Sequence, residues 1–516
     1  MGNRLHRPAP GAGGDPLSRP AQELLPAGGG TLELRSPVCI VGTGAGGAAV
    51  GYTLAQAGAK VIFLEEGRAW TPDQFVPKPS VAYRNLYQER NTRVMEGKSY
   101  IPLPGGRGVG GSTLVNSGIC FRAPESVRRR WSSFGLEWAT PGGELDEIYE
   151  KVEALIGVAK TNPSQAKGNN LIFKKGVEAL GLQGDFISRN APGCVGCGIC
   201  QLGCPIGGKA SADLTFLPGA AERGAEIYTG CRVERILLER GRCLGVEGRV
   251  LAPDDTPVGR FRLLADRTVI AGSAIGTPML LWRSGICNRS GQVGKNLHVH
   301  PGTGTIAFFN EPIRLWDGVT QGYYVEMEAE GITIETFSAT PEAYYTLARR
   351  SVGGDLAKMN RMASCGAMIA DRSSGTVRPS PDGRAEISYS LSEEDRERLI
   401  HSLRFICKVY AAAGAVEFNS GIAGAPPAFT LEAALRPLVP EVPLHALTVY
   451  ASHPMGSCRM GIDPDESVVR PDGRTHDVEA LYIADGSLFP EALGVNPQLT
   501  IMSLAVWIGR RMAAVG

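Results

Sequence analysis

The sequence predicts an α/β fold in which a Rossmann-like domain on a parallel sheet is joined to a second, α+β domain built on an antiparallel sheet. Three observations predict it. A strand–turn–helix–strand unit with the spacing G-x-G-x-x-G lies near residue 40. Strand-like runs separated by turns recur over 301–440 without any such glycine motif. An apolar helical pattern from Leu499 to Met512 closes the chain and is expected to pack back onto the first domain.

The first unit begins with Val38-Cys39-Ile40-Val41, a run of β-formers that breaks into Gly42-Thr43-Gly44-Ala45-Gly46-Gly47. The following Ala48 to Ala55 reads as a helix. Gly42 permits a tight turn, Gly44 lets a pyrophosphate approach the backbone, and Gly47 lets helix and strand pack closely. The helix start offers unpaired N–H groups and a positive dipole end to that pyrophosphate. A second strand, Lys60 to Leu64, ends at Glu65, about 20 residues beyond the first glycine, where a carboxylate accepts from a ribose hydroxyl. Together these predict a dinucleotide site.

Composition bounds the rest. A chain of 516 residues buries a large core and is expected to hold more than one domain. Its 43% hydrophobic and 20% charged content is that of a soluble globular protein, and a formal charge of +1 argues against nucleic acid or an acidic membrane as partner. No apolar run reaches the ~20 residues of a membrane span. Residues 1–33 are rich in Gly, Pro and Ala, lack the apolar core of a secretory signal, and are expected to be a disordered tail. Twelve cysteines without such a signal point to reduced thiols or metal ligands and a cytoplasmic location. The expected division is 34–300 for the cofactor domain, 301–440 for the substrate domain, and 441–516 for a return to the first domain.

A second glycine run, Pro104-Gly105-Gly106-Arg107-Gly108-Val109-Gly110-Gly111-Ser112-Thr113-Leu114-Val115-Asn116, means backbone lying close against something flat or anionic. The two glycine runs, with Phe63-Leu64-Glu65-Glu66-Gly67, resemble the glucose–methanol–choline (GMC) family of FAD-dependent oxidoreductases. Gly272 to Pro278 with Leu280, Leu281, Ser284 and Gly285 resembles the family's second signature, departing where Cys287 replaces the usual glycine. Val293-Gly294-Lys295-Asn296-Leu297 with His300-Pro301, and Ser452 to Ile501, also fit. The resemblance implies FAD held by Gly42, Thr43, Gly44, Ala45, Gly46, Gly47, Glu65, Arg107, Gly110, Gly111 and Asn116. It implies an adenine contact at the Val233 backbone, contacts to the ribityl chain and pyrophosphate at Asp485 and Gly486, and a further cofactor contact at Pro497. No histidine lies between Pro102 and Asn116, where some relatives attach FAD covalently, so non-covalent FAD is expected.

Cys194, Cys197, Cys200 and Cys204 form the run C-x2-C-x2-C-x3-C-P that bacterial ferredoxins use for iron–sulfur clusters. The spacing does not say whether three or four thiols bind. Some GMC dehydrogenases carry a cluster on a loop here, and Cys194, Cys200 and Cys204 match their spacing. Three readings stay open: an iron–sulfur cluster (4Fe-4S or 3Fe-4S), an unmetallated thiol loop, and zinc or a disulfide.

Oxidising an alcohol with a flavin needs a group that takes the hydroxyl proton, and histidine's ordinary pKa suits that task. His453 matches the family's catalytic histidine and Asn496 its partner. Asn496 also precedes Pro497 at a helix start, so a helix N-cap is its rival role. His300 reads as structural, His401 as a surface or packing residue, and His298, His445 and His476 have no evident partner.

The expected function is FAD-dependent oxidation of a CH–OH group of a small alcohol, polyol or sugar, with His453 as base. Electrons would pass to an acceptor such as a cytochrome, through the cysteine loop if it holds a cluster. The alternatives are an O2-using alcohol oxidase, a flavin-bearing lyase on the same scaffold, and an electron-transfer subunit without a substrate site.

Overall fold

Residues 17–26, 30–345 and 356–515 are described by the structure, a computed structural model. In chain order the main elements are β1 (Arg19–Pro20), β2 (Thr31–Val41), α1 (Ala45–Gln56), β3 (Val61–Glu65), α2 (Glu144–Ile156) and α3 (Pro163–Ala179). There follow β4 (Asp185–Phe186), β5 (Glu226–Thr229), β6 (Cys231–Glu239), β7 (Arg242–Leu251), β8 (Pro257–Ile270) and α4 (Ser273–Ser284). The chain continues with β9 (Gly302–Phe308), β10 (Tyr323–Met327), β11 (Ile332–Thr336), β12 (Met362–Ile369), α5 (Glu393–Ala413), β13 (Glu417–Asn419), β14 (Leu481–Ile483) and α6 (Gln498–Val515).

The first sheet has the strand order β1-β5-β3-β2-β8-β7-β6, with β14 also paired to β8. Its central strands are parallel, Val38 opposite Val61 and Val41 opposite Ile270, while β6, β7 and β8 form an antiparallel meander. All five residues of β3 are buried, as expected of a strand covered on both faces. Beneath this sheet α1 packs on α6, so the last helix closes the first domain. Trp138 and Trp507 stack with centroids 3.6 Å apart, fixing α6 against the 137–139 turn.

The second sheet has the order β13-β9-β12-β11-β10-β4 and is antiparallel throughout. The long helix α5 starts at the Ser392 cap, whose side chain accepts from the Asp395 N–H, and it stops at Gly414 in the left-handed region. Both α5 and α3 lie on this sheet. Among the described residues no helix is long and apolar enough to cross a membrane.

Several boundaries differ from expectation. The tail is not free throughout 1–33: β1 pairs with β5 through Arg19 and Tyr228, Ala21 is fully buried, and β2 already begins at Thr31. Residues 1–16 and 27–29 lie outside the described residues. The helix expected from Asn170 starts seven residues earlier at Pro163, capped by Asn162, and with β4 it belongs to the second sheet's layers although its residues fall within 34–300. The run at Ala385 to Tyr389 pairs with Thr376–Pro379 in a separate ribbon, outside the large antiparallel sheet. Sequence pattern marks a strand but does not choose its partner.

Candidate active site

The two glycine runs meet at the carboxyl end of the first sheet. Gly42 has φ +96°, and a Cβ there would sit 2.4 Å from the Ala271 carbonyl oxygen. A Cβ on Gly46 would lie 1.8 Å from the Ala484 oxygen, and one on Gly47 2.1 Å from the Gly42 oxygen. These positions are closed by the protein's own backbone. Gly44 is different, because its missing Cβ meets nothing nearer than the Gly111 Cα at 3.9 Å. The start of α1 carries no side-chain cap and no acidic residue in its first turn. An open cradle in front of an uncapped helix N-terminus fits a dinucleotide pyrophosphate.

Thr43 joins the walls of this cradle. Its hydroxyl donates to Glu65 Oε2 at 2.7 Å, and the Gly110 N–H lies 3.3 Å from the same hydroxyl oxygen. Glu65 also accepts from the N–H groups of Thr43 and Gly67. A carboxylate holds about four acceptor sites, so three donors leave room for a ribose hydroxyl. Burial pushes the Glu65 carboxyl above its ordinary pKa, against the lowering effect of those bonds.

Arg107 does not present a free cation to a phosphate. Its guanidinium is committed to Glu66 at 3.0 Å and Asp255 at 2.7 Å, so only its backbone remains for cofactor contact. Arg232 also reaches Glu66, at 3.3 Å, which sets Val233 beside the carboxyl end of β3. The ladder of β6 is interrupted between Val233 and Arg235 by a bulge.

The C-terminal stretch enters the same crevice. Asp485 accepts from the Ser273 N–H at 2.9 Å and the Ser487 N–H at 2.8 Å, tying it to the start of α4. Gly486 sits between Asp485 and Pro454, with the Pro454 carbonyl oxygen 3.2 Å from where a Cβ would be. Asn116 donates to Gln498, two residues after Asn496, and its carbonyl accepts from Lys209 Nζ at 2.7 Å. Pro497 stands in the first turn of α6, its oxygen accepting from the Ile501 N–H at 2.9 Å. The structure therefore brings His453, Asn496 and the glycine cradle to one place.

Asn496 Nδ2 lies 3.4 Å from His453 Nε2. Its Oδ1 has no partner, so the side chain turns to the histidine instead of capping α6. An amide nitrogen can only donate, which favours a lone pair on His453 Nε2. Burial holds His453 down at a pKa of about 4, so the ring is neutral at physiological pH. A second histidine stands behind it. His300 meets His453 edge to face, Nδ1 to Nδ1 at 3.4 Å, and its Nε2 accepts from the Gly494 N–H at 2.8 Å. That bond keeps the proton of neutral His300 on Nδ1 and opposes the lone pair on His453 Nε2. A substrate hydroxyl donating to Nε2 would add to the Asn496 side and tip this balance.

Two site residues escaped the sequence reading. His300 was read as structural but contacts His453. Glu335 is 6% exposed, and its Oε2 accepts from Gln321 Nε2 at 2.7 Å. Its side chain also bonds with Asn496, and burial raises its pKa to about 8. It shares a strand face with Thr333, whose hydroxyl donates to the Gly494 carbonyl at 2.9 Å.

The four cysteines line a single small cavity together with Arg189 and Lys209. Arg189 reaches Cys200 Sγ at 3.3 Å and Cys194 Sγ at 3.8 Å. Burial alone would push the Cys200 thiol up, but these two cations bring it below its ordinary value. Among the described residues no group of three or more His, Cys, Asp or Glu is arranged to hold a metal ion. The expected metal role of Cys194, Cys197, Cys200 and Cys204 therefore gains no support from their geometry, because a guanidinium bridges two of the sulfurs.

Comparison with known proteins agrees with this arrangement. Family models described as GMC oxidoreductase match residues 39–302 and 371–505. An uncharacterized GMC-type oxidoreductase of Mycobacterium tuberculosis is 38% identical over 489 residues, spanning 93% of this chain and 76% of its own. A long-chain-alcohol oxidase of Arabidopsis thaliana is 31% identical, over 93% of this chain and 68% of its own. The crystal structure of pyridoxine 4-oxidase from Mesorbium loti superposes with a TM-score of 0.70 at 19% identity, covering 92% of this chain and 99% of that one, a likeness of fold.

Proposed function

The chain belongs to the GMC oxidoreductase family, and from that premise we propose that it oxidises the CH–OH group of a small alcohol with non-covalently held FAD. The observation that carries this reading is the His453–Asn496 pair at 3.4 Å, held by a segment that also packs against the Gly42–Gly47 cradle. FAD, when bound, supplies the hydride acceptor. Gly44, the start of α1 and Glu65 would hold its pyrophosphate and ribose, with Gly110, Gly111, Asn116, Val233, Asp485 and Gly486 as further walls. The rest falls to the protein. Neutral His453 receives the hydroxyl proton at Nε2 as the C–H bond breaks, and Asn496 orients the alcohol oxygen and the ring.

Net oxidation converts the alcohol to a carbonyl and releases two electrons and two protons. With O2 as acceptor the balanced product is hydrogen peroxide. Relatives named as oxidases support O2 as the acceptor in this reading; a cytochrome-type acceptor is the alternative, and neither needs a metal at the cysteine loop.

The test is anaerobic addition of alcohols to the flavin-loaded protein. Bleaching of the flavin is expected in the native chain, and His453→Ala should slow it by about a hundredfold to ten-thousandfold while keeping the flavin. Readmitting air should yield one peroxide per carbonyl. Failure of every alcohol to bleach the flavin would favour the lyase reading.

A further inference from the structure

One buried carboxyl is left over once the His453–Asn496 pair is accounted for. Glu335 Oε1 has no hydrogen-bond partner, and Glu335 has no ion pair among the described residues. Leaving such an oxygen dry and unpaired is costly, and neighbouring polar groups normally remove that cost. The adjacent Asn496 amide has the same feature, since its Oδ1 is also unpartnered at 8% exposure. Whichever way that amide is turned, one end stays free. Two free polar atoms therefore stand next to the ring of His453.

An alkyl chain brings nothing to them. An occupant with a hydroxyl or protonated amine beside its carbinol would bring a donor to Glu335 Oε1. The surface leading inward has the same character. A cleft of about 500 Å³ whose lining includes Val495, the residue before Asn496, is walled by Arg122, Glu125, Arg129, Glu326 and Glu328. Charged walls suit a hydrated polar substrate and not a long apolar one.

We propose that Glu335 is a specificity-determining residue and that the site takes a small alcohol carrying a second hydrogen-bond donor beside its carbinol, a vicinal diol or an amino alcohol. The inference rests on His453 and Asn496 marking where the carbinol binds. A second donor pairs with Glu335, while a methyl group in its place leaves the carboxyl buried and unsatisfied.

Ethylene glycol, ethanolamine and propanol have nearly the same shape and differ in this one group. With the holoenzyme, glycol or ethanolamine is expected to exceed propanol in kcat/KM by at least about tenfold. The better of the two tells a neutral donor from a cation. In Glu335→Leu the ratio to propanol should fall to near unity, and Glu335→Gln should keep the glycol preference while losing any for ethanolamine. A native preference for propanol, or a preference unchanged in Glu335→Leu, overturns the proposal.

Pinacol, a vicinal diol with no carbinol hydrogen, separates this from the chemistry. Calorimetric binding to the native protein that weakens at least about tenfold in Glu335→Leu supports the assignment. Equal binding to both overturns it, whatever the turnover. Flavin bleaching that survives such a result leaves the oxidoreductase reading standing, and its absence alongside Glu335-dependent pinacol binding sinks that reading alone.

Discussion

At the scale of single residues, the titration of His453 sets a testable limit. Its pKa in the folded chain, about 4, lies below the ordinary 6.5 because burial disfavours the cation. A base must be neutral, so kcat/KM should stay flat from about pH 5 to pH 7 and fall only as pH drops toward the folded value. Unfolded His453 takes up its proton first as pH falls. Its neutral burial thus contributes stability that is full above about pH 6.5 and lost on the way down to about pH 4. Glu335, raised to about 8, should add an upper inflection that is absent in Glu335→Gln. A pH–rate profile with its acid limb centred near 6.5 would show that the base is not this ring. Gly44 and Gly46 make a second pair. Gly44→Ala places a methyl in the open cradle and should give a folded chain that purifies without flavin, read from its absorption. Gly46→Ala drives a methyl into the Ala484 carbonyl and should lower the yield of folded protein itself.

The same scale shows what a sequence can disclose. Gly42 to Gly47, Glu65, His453 and Asn496 were legible because motif spacing carries their chemistry along one stretch of chain. Glu335 was not. Ile332-Thr333-Ile334-Glu335 alternates as an ordinary strand with a wet polar face would. In the folded chain all five residues of β11 are buried, because the segment around Gly494 covers the polar face. Only the tertiary fold makes Glu335 a dry carboxyl.

At the scale of elements, helix bounds were readable and strand partners were not. Glu393–Ala413 follows from an N-cap serine, an apolar stripe and a closing glycine, all local. The ribbon of Thr376–Pro379 with Ala385–Ser388 looked like part of the larger sheet because pairing depends on residues far along the chain. Packing between helices gives a sharper forecast. Gly509 of α6 lies against Thr53 of α1, and a Cβ would sit 2.8 Å from the Thr53 Cβ. Alanine gains up to about 1 kcal/mol in helix propensity over glycine, while overpacking costs about 1–3 kcal/mol. The cost wins, so Gly509→Ala should lower the melting temperature. Gly276 in α4 has only the Ser273 hydroxyl within 4 Å of its missing Cβ, at 3.9 Å, so Gly276→Ala should raise it. Thermal denaturation of the two variants reads both signs; equal shifts would mean that propensity, and not the α1–α6 contact, dominates.

At the scale of the whole molecule, the chain closes on itself. Strand β14 enters the first sheet beside β8, and the loop after it covers Gly46. Helix α6 then packs on α1, while His453 and Asn496 come from the same returning stretch that faces the second sheet. The first sheet thus lacks part of its own core until the last residues are in place. A chain ending at residue 440 would expose the apolar face of α1, where Ala48, Ala49, Val50 and Leu54 are fully buried, and would leave β8 without β14. Exposed apolar surface of that kind leads to aggregation. The truncated chain should therefore be recovered insoluble or without cooperative unfolding, and without flavin. Adding residues 441–516 in trans should restore flavin binding before any turnover appears, because the cradle needs Ala484 and Asp485 whereas oxidation needs His453 and Asn496 in register as well. A truncated chain that melts cooperatively and retains flavin would mean that the amino-terminal half builds its cofactor site alone, and that the returning segment contributes chemistry but not fold.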